Sequence, residues 1–299
     1  MSEAIILEQG IPVARPVAAG QSLQAMAWRQ LWRKHTALVG IGIIVVLVLT
    51  ALLADVLAPY QPTATGSGVP MSPPNWQHPL GTDMLGRDML SRVLYGSRVA
   101  IYVGVLSLVL AIVMGIPLGV ISGFYGGAID NAIMRLMDIM LAFPIFLLAI
   151  VIMVILEPST TNVVIALGIV RIPIYARIVR GSVLSVKALT YIEAAKALAV
   201  RDPRLLWRHI LPNCMAPIIV TSTLNVGTSI IAEASLSFLG LGTQPPTPSW
   251  GWDLKAGLMI LEINPWICIF PGVAIFLTVL AFNLFGDGLR DALDPRLKM

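Results

Sequence analysis

Two ionisable side chains in this 299-residue sequence lie within segments that are otherwise apolar. Arg171 stands two residues before Pro173, and Glu233 follows Ala232 near the end of another apolar run. A charge at the centre of a bilayer costs about 2.5–3.5 kcal/mol on insertion scales, so each should face protein or water. Arg171 could line a cavity and meet the carboxylate of a solute, or it could cap or pair structurally. Glu233 could close an outer gate, or it could brace the adjoining loop.

The other residues with catalytic or metal-binding potential are scattered along the sequence. His35, His78 and His209 are too widely separated to indicate a metal cluster. Cys214 and Cys268 have neither metal-site spacing nor the pattern of a disulfide framework. The sequence contains no GxxxxGK[ST] phosphate-binding loop and no Ser–His–Asp pattern. We therefore predict that this chain has no catalytic residue, no metal and no cofactor of its own.

The composition is that of a membrane protein. Hydrophobic residues make up 57% of the chain, charged residues make up 12%, and the mean hydropathy is +0.84, which excludes an ordinary soluble protein. An apolar helix of about 20 residues crosses roughly 30 Å of hydrocarbon. We predict an all-α polytopic membrane protein with six transmembrane helices. The predicted spans are approximately 37–57, 100–122, 136–156, 162–181, 213–235 and 265–286.

The distribution of basic residues predicts the orientation. Most of the 20 Lys and Arg residues fall on the cytoplasmic side if the N-terminus is cytoplasmic, as the positive-inside rule requires. The net charge of +4 then reflects topology and contact with anionic lipid, and we expect no nucleic-acid partner. The predicted regions are a cytoplasmic tail at 1–36, a first span at 37–57, an external loop at 58–99, a transmembrane domain at 100–287 and a cytoplasmic tail at 288–299.

Shorter signals refine these regions. Residues 24–35 interleave aromatic and basic side chains, which is typical of an amphipathic helix on the membrane surface and equally of a positive flank before the first span. Thr82 or Asp83 could cap a helix in the second half of the external loop. Three prolines within the predicted spans, which neighbouring helices can accommodate, predict kinks. They are Pro144, Pro173 and Pro271.

The most informative segment is the predicted cytoplasmic loop 182–212, where residues 193–213 read EAAKALAVRDPRLLWRHILPN. A charged, Ala-rich stretch gains nothing from lipid, so it should lie in water and contact another protein. Its alanines favour a helix, and apolar residues from Val186 to Ala199 at helical spacing predict one face that buries against a partner. Asp202 followed by Pro203 predicts an N-cap and first turn that start a second helix.

This segment resembles the EAA loop of bacterial ATP-binding-cassette importer permeases, a short helix that docks into a groove on the ATPase subunit. Two residues depart from the family pattern without changing its spacing. Ala199 stands where glycine is usual, and His209 stands where isoleucine is usual. The residues that the resemblance assigns to ATPase coupling are Glu193, Ala194, Ala195, Ala199, Leu211 and Pro212.

Three further blocks carry the resemblance: residues 78–98, 233–251 and 282–298. They read HPLGTDMLGRDMLSRVLYGSR, EASLSFLGLGTQPPTPSWG and FNLFGDGLRDALDPRLK. With the EAA loop they are similar to the C-type permease subunit of dipeptide, oligopeptide, glutathione and nickel importers. The resemblance implies a type I importer fold in the bacterial inner membrane and a heterodimer with a B-type permease. It also implies one or two subunits that bind ATP and Mg, and an external solute-binding protein.

The sequence leaves the substrate open among di- and oligopeptides, glutathione, nickel and related small solutes. A different class of function, a stand-alone secondary transporter or channel, predicts acidic or histidine relays within several spans. This chain shows clearly only Arg171 in such a position. The importer permease is therefore the leading hypothesis, with both termini in the cytoplasm and membrane lipid as a further partner.

Overall fold

The structure is a computed structural model that describes residues 31–293, in which the regular structure is helical apart from one antiparallel bridge between Thr82 and Asp88. The prediction of a surface helix at 24–35 falls mostly outside these residues. The helices are α1 (His35–Leu52), α2 (Ala54–Leu57), α3 (Met89–Tyr125), α4 (Gly127–Leu141), α5 (Ile145–Leu156), α6 (Thr160–Lys187), α7 (Thr190–Ala197), α8 (Asp202–Leu205), α9 (Met215–Phe238), α10 (Trp250–Leu258) and α11 (Trp266–Leu293). A π-helix (Leu206–Ile210) and a 3-10 helix (Leu211–Cys214) join α8 to α9.

Five helical segments within residues 31–293 are long and apolar enough to cross a membrane, and the number is six if α4 and α5 form one bent span. The prediction of six spans is confirmed in this form. The prediction of one continuous helix at 136–156 is wrong, because α4 and α5 meet at an angle of 88°. Pro144 is the N-cap of α5, and proline disfavours helical geometry in the residue before it. Pro173 and Pro271, in contrast, lie inside helices that continue past them.

Helix α3 has 37 residues and is therefore about 55 Å long, well beyond the thickness of the hydrocarbon core. It starts at Met89 because the Asp88 side chain accepts a hydrogen bond from the Ser91 N–H at 2.7 Å. The predicted cap at Thr82 or Asp83 is wrong. Asp83 instead holds a tight loop by accepting the N–H of Arg87 at 2.9 Å. The end of the predicted external loop is thus already part of α3.

Helices α3 and α6 approach each other closely along a row of glycines on α3. A Cβ atom at Gly119 would lie 2.5 Å from the Ala176 carbonyl oxygen and 2.7 Å from the Val179 Cβ. Gly115 and Gly123, one helical turn to either side, are also crowded, with nearest atoms at 2.6 and 2.9 Å from an added Cβ atom. Small residues every four positions let membrane helices pack backbone against backbone, so this row fixes α6 against α3.

The predicted external loop and the segment between α9 and α11 are attached to the start of α3 by buried polar contacts. The Arg92 guanidinium is 1% exposed and donates from Nε and Nη2 to Asp253 Oδ1 at 2.8 and 2.5 Å. Its Nη1 donates to the Pro62 carbonyl at 3.1 Å. Burial raises the pKa of the Asp253 carboxyl, and the Arg92 charge opposes that shift. Both parts of the chain are thereby fixed to the same end of α3.

Candidate functional site

The loop between α6 and α9 forms a short helix with one buried face. Helix α7 occupies the position that the alanine-rich pattern predicted, and Ile192 is its fully buried residue, packed in one cluster with Leu205 and Ile210. The prediction of a single partner-facing stripe from Val186 to Ala199 is wrong. Val186 and Ile192 are buried within this chain, so these residues hold the loop in place and do not contact a partner.

The side of α7 opposite Ile192 is exposed. Glu193, Ala194 and Ala197 are exposed, whereas Ala195 is half-buried against the core. Leu198 follows the helix and is 80% exposed. An exposed leucine flanked by the small residues Ala197 and Ala199 is an apolar projection with narrow flanks. This surface, hereafter the outer face of α7, can enter a groove on another protein.

Ala199 ends α7 in the left-handed region, with a φ of +52°. Its N–H donates to the Lys196 carbonyl at 2.9 Å, and the next N–H, of Val200, donates to the Ala195 carbonyl at 3.2 Å. This pair of bonds is a Schellman motif, which favours glycine because a Cβ atom is strained at this φ. The conformation explains in physical terms why glycine suits this position, and Ala199 adopts it at a cost.

A cationic clamp joins the loop to the end of α3. Lys187 Nζ donates to the Phe124 carbonyl at 2.5 Å and lies 5.7 Å from the centre of the Phe124 ring. Lys196, on α7, places its Nζ 5.5 Å from the same ring. Cation–π contacts of this length are attractive, so α7 is held to both α3 and α6.

The second half of the loop reaches α9 through irregular helix. Helix α8 begins at Asp202 itself, with Arg201 at the N-cap, so the predicted cap lies one residue too late. Leu211 and Pro212 lie in the 3-10 helix that precedes α9. The backbone there departs from α-helical geometry, and the Asn213 side-chain amide donates a hydrogen bond to the His209 carbonyl oxygen at 2.6 Å. Consecutive π and 3-10 turns within a helix mark a place where it can flex.

Arg171 lies on α6 and is 6% exposed. Its Nη1 donates to Thr228 Oγ1 on α9 at 3.1 Å, and its Nε is buried without a hydrogen-bond partner. It lines a cavity of about 330 Å³ between α5, α6 and α9, to which Asn225 and Thr228 also contribute. Arg171 is therefore directed toward protein, as the cost of a charge in lipid requires.

Glu233 lies on α9 and is buried beneath the loop that joins α9 to α10. Its Oε1 accepts hydrogen bonds from the hydroxyls of Ser237, Thr243 and Ser249 at 2.7, 3.3 and 3.0 Å. Thr243 and Ser249 belong to the loop that follows α9. Of the two roles considered for Glu233, these contacts fit the bracing of this loop.

The structure brings the predicted residues into two groups. The residues predicted to couple to an ATPase lie on the loop between α6 and α9, whereas Arg171 and Glu233 lie on those two helices. Among residues 31–293, no group of three or more His, Cys, Asp or Glu side chains is placed to hold a metal ion. Sequence reasoning did not identify Phe124, Asn225 or Thr228. The last two carried a signal, since each is a polar residue inside a predicted span.

Comparison with known proteins identifies the fold and its relatives. The family described as the binding-protein-dependent transport system inner membrane component matches residues 115–299. The N-terminal transmembrane domain of oligopeptide transport permease C matches residues 22–74. Over 300 residues, covering 97% of each chain, the sequence is 46% identical to the glutathione transport system permease protein GsiD of Salmonella typhimurium. It is also 45% identical over 272 residues to the dipeptide transport system permease protein DppC of Alkalihalophilus pseudofirmus, covering 91% of this chain and 90% of that protein.

Solved structures of other ABC transporters share the architecture. An inward-facing structure of the MetNI methionine ABC transporter has a TM-score of 0.56 at 19% identity, covering 69% of this chain and 98% of its own. A crystal structure of an amino acid ABC transporter with histidines has a TM-score of 0.53 at 15% identity, covering 68% and 94%. At such low identity these structures support the type I fold alone.

Proposed function

We propose a role for this chain from one premise: it belongs to the family of inner membrane components of binding-protein-dependent transport systems. The chain is the permease subunit of an ATP-driven importer, and it is not an enzyme. It works with ATPase and solute-binding partners. We propose that the imported solute is glutathione or a short peptide. The observation that supports this most strongly is similarity over nearly the whole length to permeases named for these two solutes.

We further propose that the chain forms a heterodimer with a B-type permease and that both its termini are cytoplasmic. The transporter then contains one or two ATPase subunits, which bind ATP and Mg. The outer face of α7 docks on an ATPase subunit. The exposed Leu198 and the small residues beside it support this assignment, because they offer an apolar projection to a groove. The absence of a phosphate-binding loop from the sequence also supports it, because ATP then has its site on the partner.

The same contacts suggest how movement reaches the membrane. Helix α7 is attached to α3 and α6 through Lys196, Lys187 and Phe124, and the loop continues into α9 through irregular turns. A displacement of the ATPase subunit would therefore move α6 and α9 relative to one another. The cavity beside Arg171 lies between those two helices, so its width would change with the nucleotide state.

The proposed function can be tested in proteoliposomes. The permease pair, the ATPases and the cognate binding protein would be reconstituted, and uptake of glutathione, trialanine and Ni²⁺ would be compared with ATP or ADP at the ATPase side. We expect ATP-dependent uptake of glutathione or trialanine that requires the binding protein. Uptake of Ni²⁺ alone would contradict the substrate class, and uptake driven by an ion gradient without ATP would favour a secondary transporter.

The orientation has its own test, for which the structure selects the positions. Within the predicted external loop, Gly68 is unsuitable for a cysteine, since a Cβ atom there would lie 2.4 Å from His78 Nε2. Trp76 and Ala197 are exposed, so cysteines at these two positions in a cysteine-free background should disturb little. A membrane-impermeant thiol reagent added outside intact cells should label position 76 and not position 197. Equal labelling of both would contradict the proposed orientation.

A further inference from the structure

The cavity beside Arg171 has the composition of a small binding site. Its walls are mostly apolar, from Phe146 and Ala149 on α5 and Leu167 on α6, and its polar groups are Arg171 and, on α9, Asn225 and Thr228. A volume of about 330 Å³ is at the lower end of the range for small-molecule sites. An apolar cavity with a few convergent polar groups is the usual form of such a site.

The hydrogen bonds around Arg171 leave part of its guanidinium unused. Thr228 Oγ1 donates its proton to the Asn225 carbonyl at 3.1 Å, so this hydroxyl serves Arg171 purely as an acceptor, and the acceptor is neutral. No carboxylate among residues 31–293 lies within ion-pair distance of Arg171. Its Nε–H is buried and unpaired. A buried charge without a counter-ion is costly, so this site requires an anion.

We propose that Arg171, whose side chain lines this cavity, binds a carboxylate of the transported solute. A guanidinium offers parallel N–H groups that match the two oxygens of a carboxylate. Thr228 fixes one side of the guanidinium, which orients the remaining N–H groups. This inference rests on the proposed function, since glutathione and peptides with a free C-terminus carry the required group.

The site lies between two helices, so their relative movement would affect both binding and release of the solute. Arg171 lies on α6 and Thr228 on α9, the two helices that flank the coupling loop. Separation of these helices would break the Arg171–Thr228 hydrogen bond and leave the guanidinium free to rotate. The carboxylate would then lose its preorganised partner. The site therefore binds the solute in one state of the transporter and releases it in the other.

The test compares trialanine with its C-terminal amide, and glutathione with its diamide, as probes in the reconstituted transporter, so that neither amide retains a carboxylate. Wild type, Arg171→Met, Arg171→Lys and the control Arg177→Met would each be assayed for uptake of acid and amide. Arg177 lies on the same helix, but it is exposed and paired with Asp138. Every variant uses the same binding protein, so the preference of that protein cancels when the acid-to-amide ratios of the variants are compared.

We expect Arg171→Met to lower the acid-to-amide uptake ratio about tenfold or more, the range of a hydrogen bond to a charged group, with amide uptake within about twofold of wild type. Arg171→Lys should retain part of the ratio, and Arg177→Met should retain all of it. An unchanged ratio, or an equal loss of both probes, would overturn the proposal. Loss of the second permease from purified Arg171→Met complex would also overturn it, because the counter-ion would then belong to that subunit. If wild type takes up no probe, the proposed function itself fails.

Discussion

Replacing Leu198 with alanine separates docking from folding. The Leu198 side chain is 80% exposed, so its truncation removes few contacts within this chain. Surface substitutions of this kind usually change the free energy of unfolding by less than about 0.5 kcal/mol. We therefore expect Leu198→Ala permease to insert, assemble with the second permease and melt as the wild type does.

The effect of Leu198→Ala on binding of the ATPase subunit should be larger. If Leu198 is buried in a groove of that subunit, the substitution removes three carbon atoms from the contact, at about 0.8 kcal/mol each. The total loss of about 2.4 kcal/mol corresponds to roughly 50-fold weaker binding. Transport should fall in parallel at ATPase concentrations near the wild-type Kd.

The assay is a titration of labelled ATPase subunits against the permease pair in nanodiscs. Val56→Ala is the matched control, because Val56 is an aliphatic residue of α2 that is 82% exposed and lies at the proposed external end. It should leave ATPase affinity unchanged. Wild-type affinity in the Leu198→Ala permease would refute docking through the outer face of α7, and an equal loss in both variants would refute its location.

Two further predictions concern Ala199 and the Arg92–Asp253 ion pair. Ala199→Gly relieves a left-handed strain of about 1 kcal/mol, so it should retain docking and transport, whereas Ala199→Trp should lower recovery of ATPase with the purified complex. Full recovery with tryptophan would count against close approach at this position. Arg92→Met leaves the Asp253 carboxyl buried without its counter-ion and should destabilise the complex by about 3–5 kcal/mol. Thermal unfolding checks this, and Arg98→Met should lower the melting temperature much less than Arg92→Met, because its partner Asp55 is exposed. Equal decreases in melting temperature would contradict this reasoning.

The sequence predicted the spans well and their interruptions poorly. A helix that crosses lipid needs a long apolar run, so hydropathy locates the spans. The hydropathy of a run such as 136–156 is the same whether its helix is straight or broken. Pro144 was the available signal for the break, yet Pro173 and Pro271 carry the same signal inside continuous helices. Whether proline breaks a membrane helix depends on neighbours that sequence alone does not reveal.

Among the candidate functional residues, the sequence likewise located some positions and did not reveal their contacts. The alanine-rich pattern located helix α7, but it did not show that Ile192 is buried and Leu198 exposed, since both are apolar. Ile192 is buried because α7 packs on a cluster that includes Phe124, a residue distant in sequence. Arg171 was detectable as a charge in an apolar run, whereas Thr228, its partner, is 57 residues away. Contacts of this range arise from tertiary packing and were outside the reach of local patterns.

Photo-crosslinking from position 198 tests the central claim, that this loop couples the permease to an ATPase. A benzophenone amino acid would replace Leu198 in one sample and the fully exposed Trp76 of the predicted external loop in another, in cells that contain the whole transporter. We predict that position 198 crosslinks to the ATP-binding subunit and position 76 does not. Crosslinking of position 198 to the external binding protein, or no ATPase adduct from position 198 in an assembled and active transporter, would contradict the account.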